Sequence, residues 1–176
     1  MALALPKLRK KEMIASLHST EPKIVNKALL DIKKLGTSSL LPELIEVYVN
    51  TTNEQVTLGI ESILNQLKES QSIDYLIQAL KNKEYKAYHQ KFAAAIWESG
   101  LDASSNLQEL IEVSLDTDYL TCLDILTVIE NIEDGITESD IENGIAAISE
   151  QLQWKKSDND PLLASIVNVL QGDLID

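Results

Sequence analysis

The most constraining feature of this sequence is an apolar pattern with helical spacing that returns after about 32 residues. The first two copies are Ile24, Ala28, Ile32 and Leu35, followed by Val56, Ile60, Leu64 and Leu67. Steps of three and four residues place such side chains on one face of a helix. A second pattern, marked by Leu44, Leu76 and Leu110, recurs at steps of 32 and 34 residues. The chain is therefore predicted to be a series of repeated helix pairs.

The repeats divide the 176 residues into five helix pairs within one domain, residues 1–176. Their approximate bounds are 6–36, 39–69, 72–100, 104–134 and 138–172. One helix pair cannot bury both of its apolar faces, so neighbouring pairs have to stack and share a continuous core. The fold class predicted from this pattern is all-α.

Prolines and glycines fall close to the predicted helix ends. First-turn positions, which tolerate a missing N–H group, are predicted at Pro22, Pro42 and Pro161. Left-handed helix stops are predicted at Gly36, Gly100 and Gly172. Thr137 followed by Asp140 indicates a helix start. Gly59 and Gly144 lie inside predicted helices, where close backbone approach between neighbouring helices is the expected reason for a glycine.

The second helices ending in Leu35-Gly36 and Ser99-Gly100, with their spacing of 32 to 34 residues, resemble HEAT-like repeats of the armadillo type. The resemblance runs from about Pro6 to Gly172. It implies a right-handed α–α superhelix, or solenoid, whose second helices line a concave surface. HEAT repeats also carry an arginine in the second helix, and no repeat here has it. Extended surfaces of this kind bind other macromolecules.

The charge distribution narrows the choice of partner. The net charge is −13, but residues 1–36 hold eight Lys/Arg and three Asp/Glu, and residues 37–176 hold seven and twenty-five. Phosphate backbones would be repelled by the acidic part, so nucleic acid is disfavoured. A protein or peptide with a basic or amphipathic segment is expected instead. The basic end is interpreted either as a solvated cap or as a surface that docks an acidic partner, including the acidic end of a second copy.

Enzymatic chemistry is not expected. The sequence has no phosphate-binding glycine loop, nucleophile elbow or zinc signature. Its one cysteine, Cys122, and two histidines, His18 and His89, are too few for a Cys or His metal cluster. We therefore expect no catalytic residue, metal or cofactor, and we expect Cys122 to be a buried small apolar residue. No apolar run is long enough for a secretory signal or a membrane span, so a cytoplasmic protein is expected.

The most promising binding surface is the chemically mixed segment from Tyr85 to Trp97. Trp97 aligns with polar residues of the other repeats, so it is predicted to face solvent, where Trp and Tyr favour binding. The candidate partner-binding residues are Trp97, Tyr85, His89, Lys91, Glu98 and Glu130. Packing of Trp97 over a neighbouring helix, or a contact between copies, is an equal alternative.

Three functions compete at this point. The first is a non-enzymatic scaffold or adaptor that binds a protein or peptide. The second is nucleic-acid processing of the kind performed by HEAT-like alkylpurine DNA glycosylases, with Trp97 and Glu98 at the lesion. The third is a lyase similar to the HEAT-like phycobilin lyases.

Overall fold

The computed structural model describes residues 7–35 and 38–173, and these residues form ten α-helices joined by short loops. The helices are α1 (Lys7–Leu17), α2 (Pro22–Leu35), α3 (Leu41–Asn50), α4 (Glu54–Leu64), α5 (Ser72–Lys81), α6 (His89–Ser99), α7 (Leu107–Ser114), α8 (Tyr119–Glu130), α9 (Glu138–Trp154) and α10 (Asp160–Asp173). Short 3₁₀ segments at Ser38–Leu40, Lys83–Tyr88 and Ser104–Asn106 precede α3, α6 and α7. No strand occurs within these two ranges. The all-α prediction is confirmed.

Side-chain caps explain where several helices begin. Asn53 accepts hydrogen bonds from the backbone N–H groups of the first turn of α4. Asp118 Oδ1 accepts one from the N–H of Thr121 at 3.1 Å, and Thr137 Oγ1 accepts one from the N–H of Asp140 at 3.2 Å. Each cap satisfies an N–H group that lacks a partner inside the helix. The helix start predicted at Thr137 is confirmed.

The predicted glycine stops have mixed outcomes. Gly100 ends α6 in the left-handed conformation, with φ of 63°. Gly172 was predicted to do the same at the end of α10, and this prediction is wrong: the helix continues through Gly172 to Asp173. Glycine permits the left-handed conformation without requiring it, at a helical cost of only about 1 kcal/mol. Gly36 lies outside the described residues.

The helices pack in a regular order along the chain. Consecutive helices pack as pairs, from α1 with α2 to α9 with α10. Each odd-numbered helix also packs on the next odd-numbered helix, and each even-numbered helix on the next even-numbered one. The even-numbered helices are the predicted second helices of the five repeats.

One buried apolar column joins the even-numbered helices. It contains, in chain order, Ala28, Ile60, Phe92, Ile125 and Ile166, all of them at most 5 % exposed. The repeated apolar pattern is thus the shared core predicted from the sequence. One position was assigned wrongly: Ile24 is 42 % exposed, and Val25 is buried in its place. Ile24 and Val25 are both apolar and lie 100° apart around the helix axis, so the sequence pattern alone could place either one on the buried face.

Gly59 and Gly144 lie against side chains of neighbouring helices. A Cβ atom on Gly59 in α4 would lie 2.3 Å from Leu29 Cδ1 of α2. A Cβ atom on Gly144 in α9 would lie 2.4 Å from Ile111 Cδ1 of α7. Both distances are far below van der Waals contact, but the atoms met are side-chain ends and not backbone. A neighbouring leucine or isoleucine, and not the expected close approach of backbone, therefore fills the space beside these two glycines.

Candidate protein-binding surface

Trp97 is a partly exposed aromatic side chain of the even-numbered helices. It lies in α6 and is 39 % exposed. Its indole Nε1 donates a hydrogen bond to Asp124 Oδ1 of α8 at 3.2 Å. The other oxygen of Asp124 accepts a hydrogen bond from Gln90 Nε2, also of α6, at 3.1 Å. One carboxylate therefore holds the indole ring in place and bridges the two helices.

An open cavity of about 470 Å³ adjoins Trp97. We call it the Trp97 cavity, and its lining residues are Trp97, Gly100, Leu101, Asp102, Val128, Asn131, Glu133 and Asp134. Gly100 contributes no side chain, and a Cβ atom added there would meet nothing within 4 Å. The left-handed turn at Gly100 thus ends α6 and leaves this space open.

The rim of the Trp97 cavity is acidic. Asp102, Glu133 and Asp134 have no Lys, Arg or His nitrogen within 4.0 Å among residues 7–35 and 38–173. The backbone N–H of Ser104 donates to Asp102 Oδ1 at 2.9 Å, and this bond together with the Ser104 hydroxyl lowers the pKa of the Asp102 carboxyl. A carboxylate stabilised in this way stays ionised near neutral pH.

Lys91 and Glu98 flank Trp97 on α6, and both are exposed. Lys91 Nζ lies 4.0 Å from Glu61 Oε1 of α4, and the same oxygen accepts a hydrogen bond from the Tyr48 hydroxyl at 2.7 Å. Burial, together with Glu61, raises the pKa of Tyr48 above its usual range, so the hydroxyl remains a donor. Lys91 is therefore only loosely paired, and Glu98 has no ion pair within 4.0 Å among the described residues.

The remaining candidates do not line the Trp97 cavity. Glu130 is exposed at the last position of α8. Tyr85 lies in the 3₁₀ segment before α6, half-buried, and lines a separate depression with Pro42 and Tyr75 of α3 and α5. The sequence could not show this, because the segment leaves the helical register at that point.

His89 is placed differently from the sequence expectation. It is only 6 % exposed, and its Nε2 donates a hydrogen bond to the backbone oxygen of Asn82 at 2.9 Å. In the repeat alignment His89 occupies the position of Val25 and Cys122, which are also buried. That column was the signal that could have indicated its burial.

Sequence reasoning missed Asp124 and the exposed leucines of the even-numbered helices. Exposed leucines occur on several even-numbered helices, at Leu30, Leu58, Leu120 and Leu123. Their positions outside the buried column could have predicted this exposure from the sequence. The sequence could not have predicted that Asp124 bridges two helices, because that role depends on contacts between α6 and α8.

Cys122 is buried and makes no disulfide. Burial and the nearby charge of Asp118 raise the pKa of its thiol to about 11. The thiolate is the reactive form of cysteine, so this residue is unreactive near neutral pH. The expectation of a buried, small apolar residue is confirmed.

No protein-family model matches the chain, and no curated protein is significantly similar to it. Within the described ranges, no helix combines the length and apolar character needed to cross a membrane. Nor does the described part of the chain bring three His, Cys, Asp or Glu side chains together as metal ligands.

Proposed function

We propose that this chain is a non-enzymatic interaction module, a HEAT-like solenoid whose even-numbered helices present a concave surface to a protein or peptide. The observation that carries the proposal is Trp97, exposed beside an open cavity and held by Asp124 of the next even-numbered helix. An aromatic side chain that is already fixed loses little conformational entropy when a partner covers it. Such residues are common binding hot spots.

The order of helix packing supports the solenoid part of the proposal. Even-numbered helices follow one another from α2 to α10, with the odd-numbered helices packed in the same order. Stacked pairs of this kind leave long surfaces instead of a closed pocket, and these surfaces suit extended partners.

The chemistry around Trp97 indicates a basic, amphipathic partner segment. Leu123 of α8 is 38 % exposed and supplies apolar surface beside Asp124. The rim carboxylates Asp102, Glu133 and Asp134 form no ion pair with any cation in the part of the chain that the structure describes. Lysine or arginine side chains of a partner would neutralise them, while its apolar side chains cover Trp97. The same acidic rim disfavours a phosphate backbone, so the DNA glycosylase alternative gains no support here.

A pair of tryptophan variants tests the proposal. Trp97→Ala should weaken binding of a partner captured by the wild-type chain, whereas Trp154→Ala serves as the matched control. Trp154 is 81 % exposed at the end of α9. We expect Trp97→Ala to cost at least about 2 kcal/mol, roughly 30-fold in affinity, measured by calorimetry with the purified partner. Equal loss in both variants, or in neither, would contradict the proposed surface.

Photo-crosslinking then locates the surface without assuming a hot spot. A photoreactive amino acid at Leu123 lies on the even-numbered side, and one at Gln78 of α5 lies on the odd-numbered side; both positions are exposed. The partner should crosslink at position 123 and not at 78, and the yield should fall with salt. A captured partner that is a second copy of this chain would point to the basic residues of α1 and α2 as the complementary surface.

A further inference from the structure

A second cavity, outside the proposed binding surface, gathers most of the basic side chains near the middle of the chain. It has a volume of about 230 Å³ and lies between the end of α5, the 3₁₀ segment Lys83–Tyr88 and the end of α7. We call it the lysine cavity. Three lysines line it, Lys81, Lys83 and Lys86, together with two acidic residues, Glu112 and Asp116. The lysines are three of only seven Lys/Arg in residues 37–176, which also hold twenty-five Asp/Glu.

The carboxylates of Glu112 and Asp116 form only one ion pair with these three lysines. Lys81 Nζ lies 3.3 Å from Glu112 Oε2, but the Glu112 side chain is 70 % exposed. An ion pair this exposed contributes little, and the Glu112 side chain is free to move away. Lys86 Nζ donates to the backbone oxygen of Asp116 at 3.4 Å and not to its carboxylate. Lys83 makes no ion pair within 4.0 Å among the described residues.

A buried histidine also lines the lysine cavity. His89 is 6 % exposed, and its Nε2 is committed to the backbone oxygen of Asn82. Because a carbonyl oxygen only accepts, Nε2 carries the hydrogen, and Nδ1 is left as an acceptor in the neutral ring. No hydrogen bond of Nδ1 occurs within the described residues. A group that brings both negative charge and a hydroxyl proton would complement the lysines and this nitrogen together.

The volume of the lysine cavity and its apolar lining residues limit which ligands it can bind. Pockets for complete drug-sized ligands usually range from about 300 to 1,000 Å³, so 230 Å³ suits one chemical group and not a large cofactor. Leu80 and Val113 supply an apolar part of the wall. An oxyanion attached to a short hydrocarbon would contact both parts.

We propose that the lysine cavity is a phosphate-binding site, in which Lys83 and Lys86 contact the oxyanion and Leu80 and Val113 contact an attached apolar group. Inorganic phosphate near neutral pH is a mixture of the dianion HPO₄²⁻ and the monoanion H₂PO₄⁻, both of which keep a hydroxyl donor, and a phosphate monoester keeps one as its monoanion. A carboxylate offers one charge and no donor. The site is independent of Trp97, since none of the residues that line it lines the Trp97 cavity.

The two histidines of the chain serve as reporter and control in a test of phosphate binding. His18 is exposed in the loop after α1, and His89 lies in the lysine cavity. Inorganic phosphate is titrated into the full ¹⁵N-labelled chain at fixed pH and ionic strength, and the imidazole resonances are followed by NMR. We expect saturable shifts of His89 and of the Lys83 and Val113 amides, with His18 unchanged. Phenyl phosphate should bind more tightly than inorganic phosphate, and acetate more weakly.

Matched lysine variants decide the outcome. The double variant Lys83→Gln, Lys86→Gln should lower phosphate affinity by at least about tenfold, because charge-assisted hydrogen bonds are lost. Lys68→Gln, an exposed lysine outside the cavity, should leave it within about twofold. The proposal is overturned if His89 shows no saturable shift up to about 20 mM phosphate. Equal shifts at His18, or unchanged affinity in the double variant, would overturn it as well.

Discussion

Replacing Ile32 by alanine should loosen the first helix pair and leave the last pair intact. Ile32 lies in α2 with a side chain that is 0 % exposed. If the chain is a stack in which each pair depends on its neighbours, a core defect near one end has a local effect. If it is one cooperative globule, the same defect weakens all helices together. The variant therefore tests the solenoid proposal directly.

The size of the effect follows from the burial of Ile32. Alanine removes three buried carbon atoms, each contributing about 0.8 kcal/mol. The partly unfilled cavity adds to this loss, which brings the total to about 3 to 4 kcal/mol. Lowering the free energy of local opening by that amount accelerates amide exchange roughly 100- to 1,000-fold.

Hydrogen exchange followed by mass spectrometry measures this helix by helix. For Ile32→Ala we expect faster exchange in α1 and α2, a smaller change in α3 and α4, and little change in α9 and α10. Ile166→Ala is the matched control, because Ile166 is also 0 % exposed but lies in α10. It should give the reverse pattern. Uniform acceleration of all ten helices in both variants would refute the argument.

Three further predictions concern the even-numbered helices. Alkylation of Cys122 at pH 8 should be at least about 100-fold slower in the native chain than in denaturant, since its pKa is raised to about 11. Burial alone would raise the pKa of Asp118, but its hydrogen bonds from Thr121 and other N–H groups lower it overall. The Asp118 carboxylate therefore stabilises the folded chain at pH values above the ordinary carboxyl pKa. This stabilisation is lost as the pH falls through the lowered pKa of Asp118. Asp118→Ala should cost about 0.5 to 2 kcal/mol in urea unfolding near neutral pH and less under acid conditions; an unchanged midpoint would contradict the cap. Gly100→Ala should cost about 1 kcal/mol in the same assay from backbone strain alone, because its Cβ meets no neighbour; stabilisation would contradict this.

The helices themselves were largely predictable, because helix formation and capping depend on neighbouring residues in the chain. Apolar spacing indicated the second helices of the pairs, and Thr137 and Gly100 marked helix ends that the structure confirms. Errors arose where several local outcomes have similar energies. Ile24 and Val25 are adjacent apolar residues, and only packing on neighbouring helices decides which is buried. Gly172 shows the same ambiguity at a helix end.

The candidate protein-binding surface was predictable only in part. The exposure of Trp97 followed from its alignment with polar residues of other repeats, and the structure confirms it. The bond from Trp97 to Asp124 joins residues 27 positions apart, so no local pattern reveals it. Tyr85 and His89 were grouped with Trp97 through closeness in sequence, but they line two other cavities.

By itself the sequence determined the repeated helix pairs, the acidic character of most of the chain and the burial of Cys122, since these depend on spacing and composition. Only the tertiary structure decided which side chains meet across helices. The Trp97 cavity requires the left-handed turn at Gly100 next to the end of α8. The lysine cavity requires residues near 83 and 113 to come together. Both depend on the order and spacing of packed helices, which the interactions of the whole core fix at once.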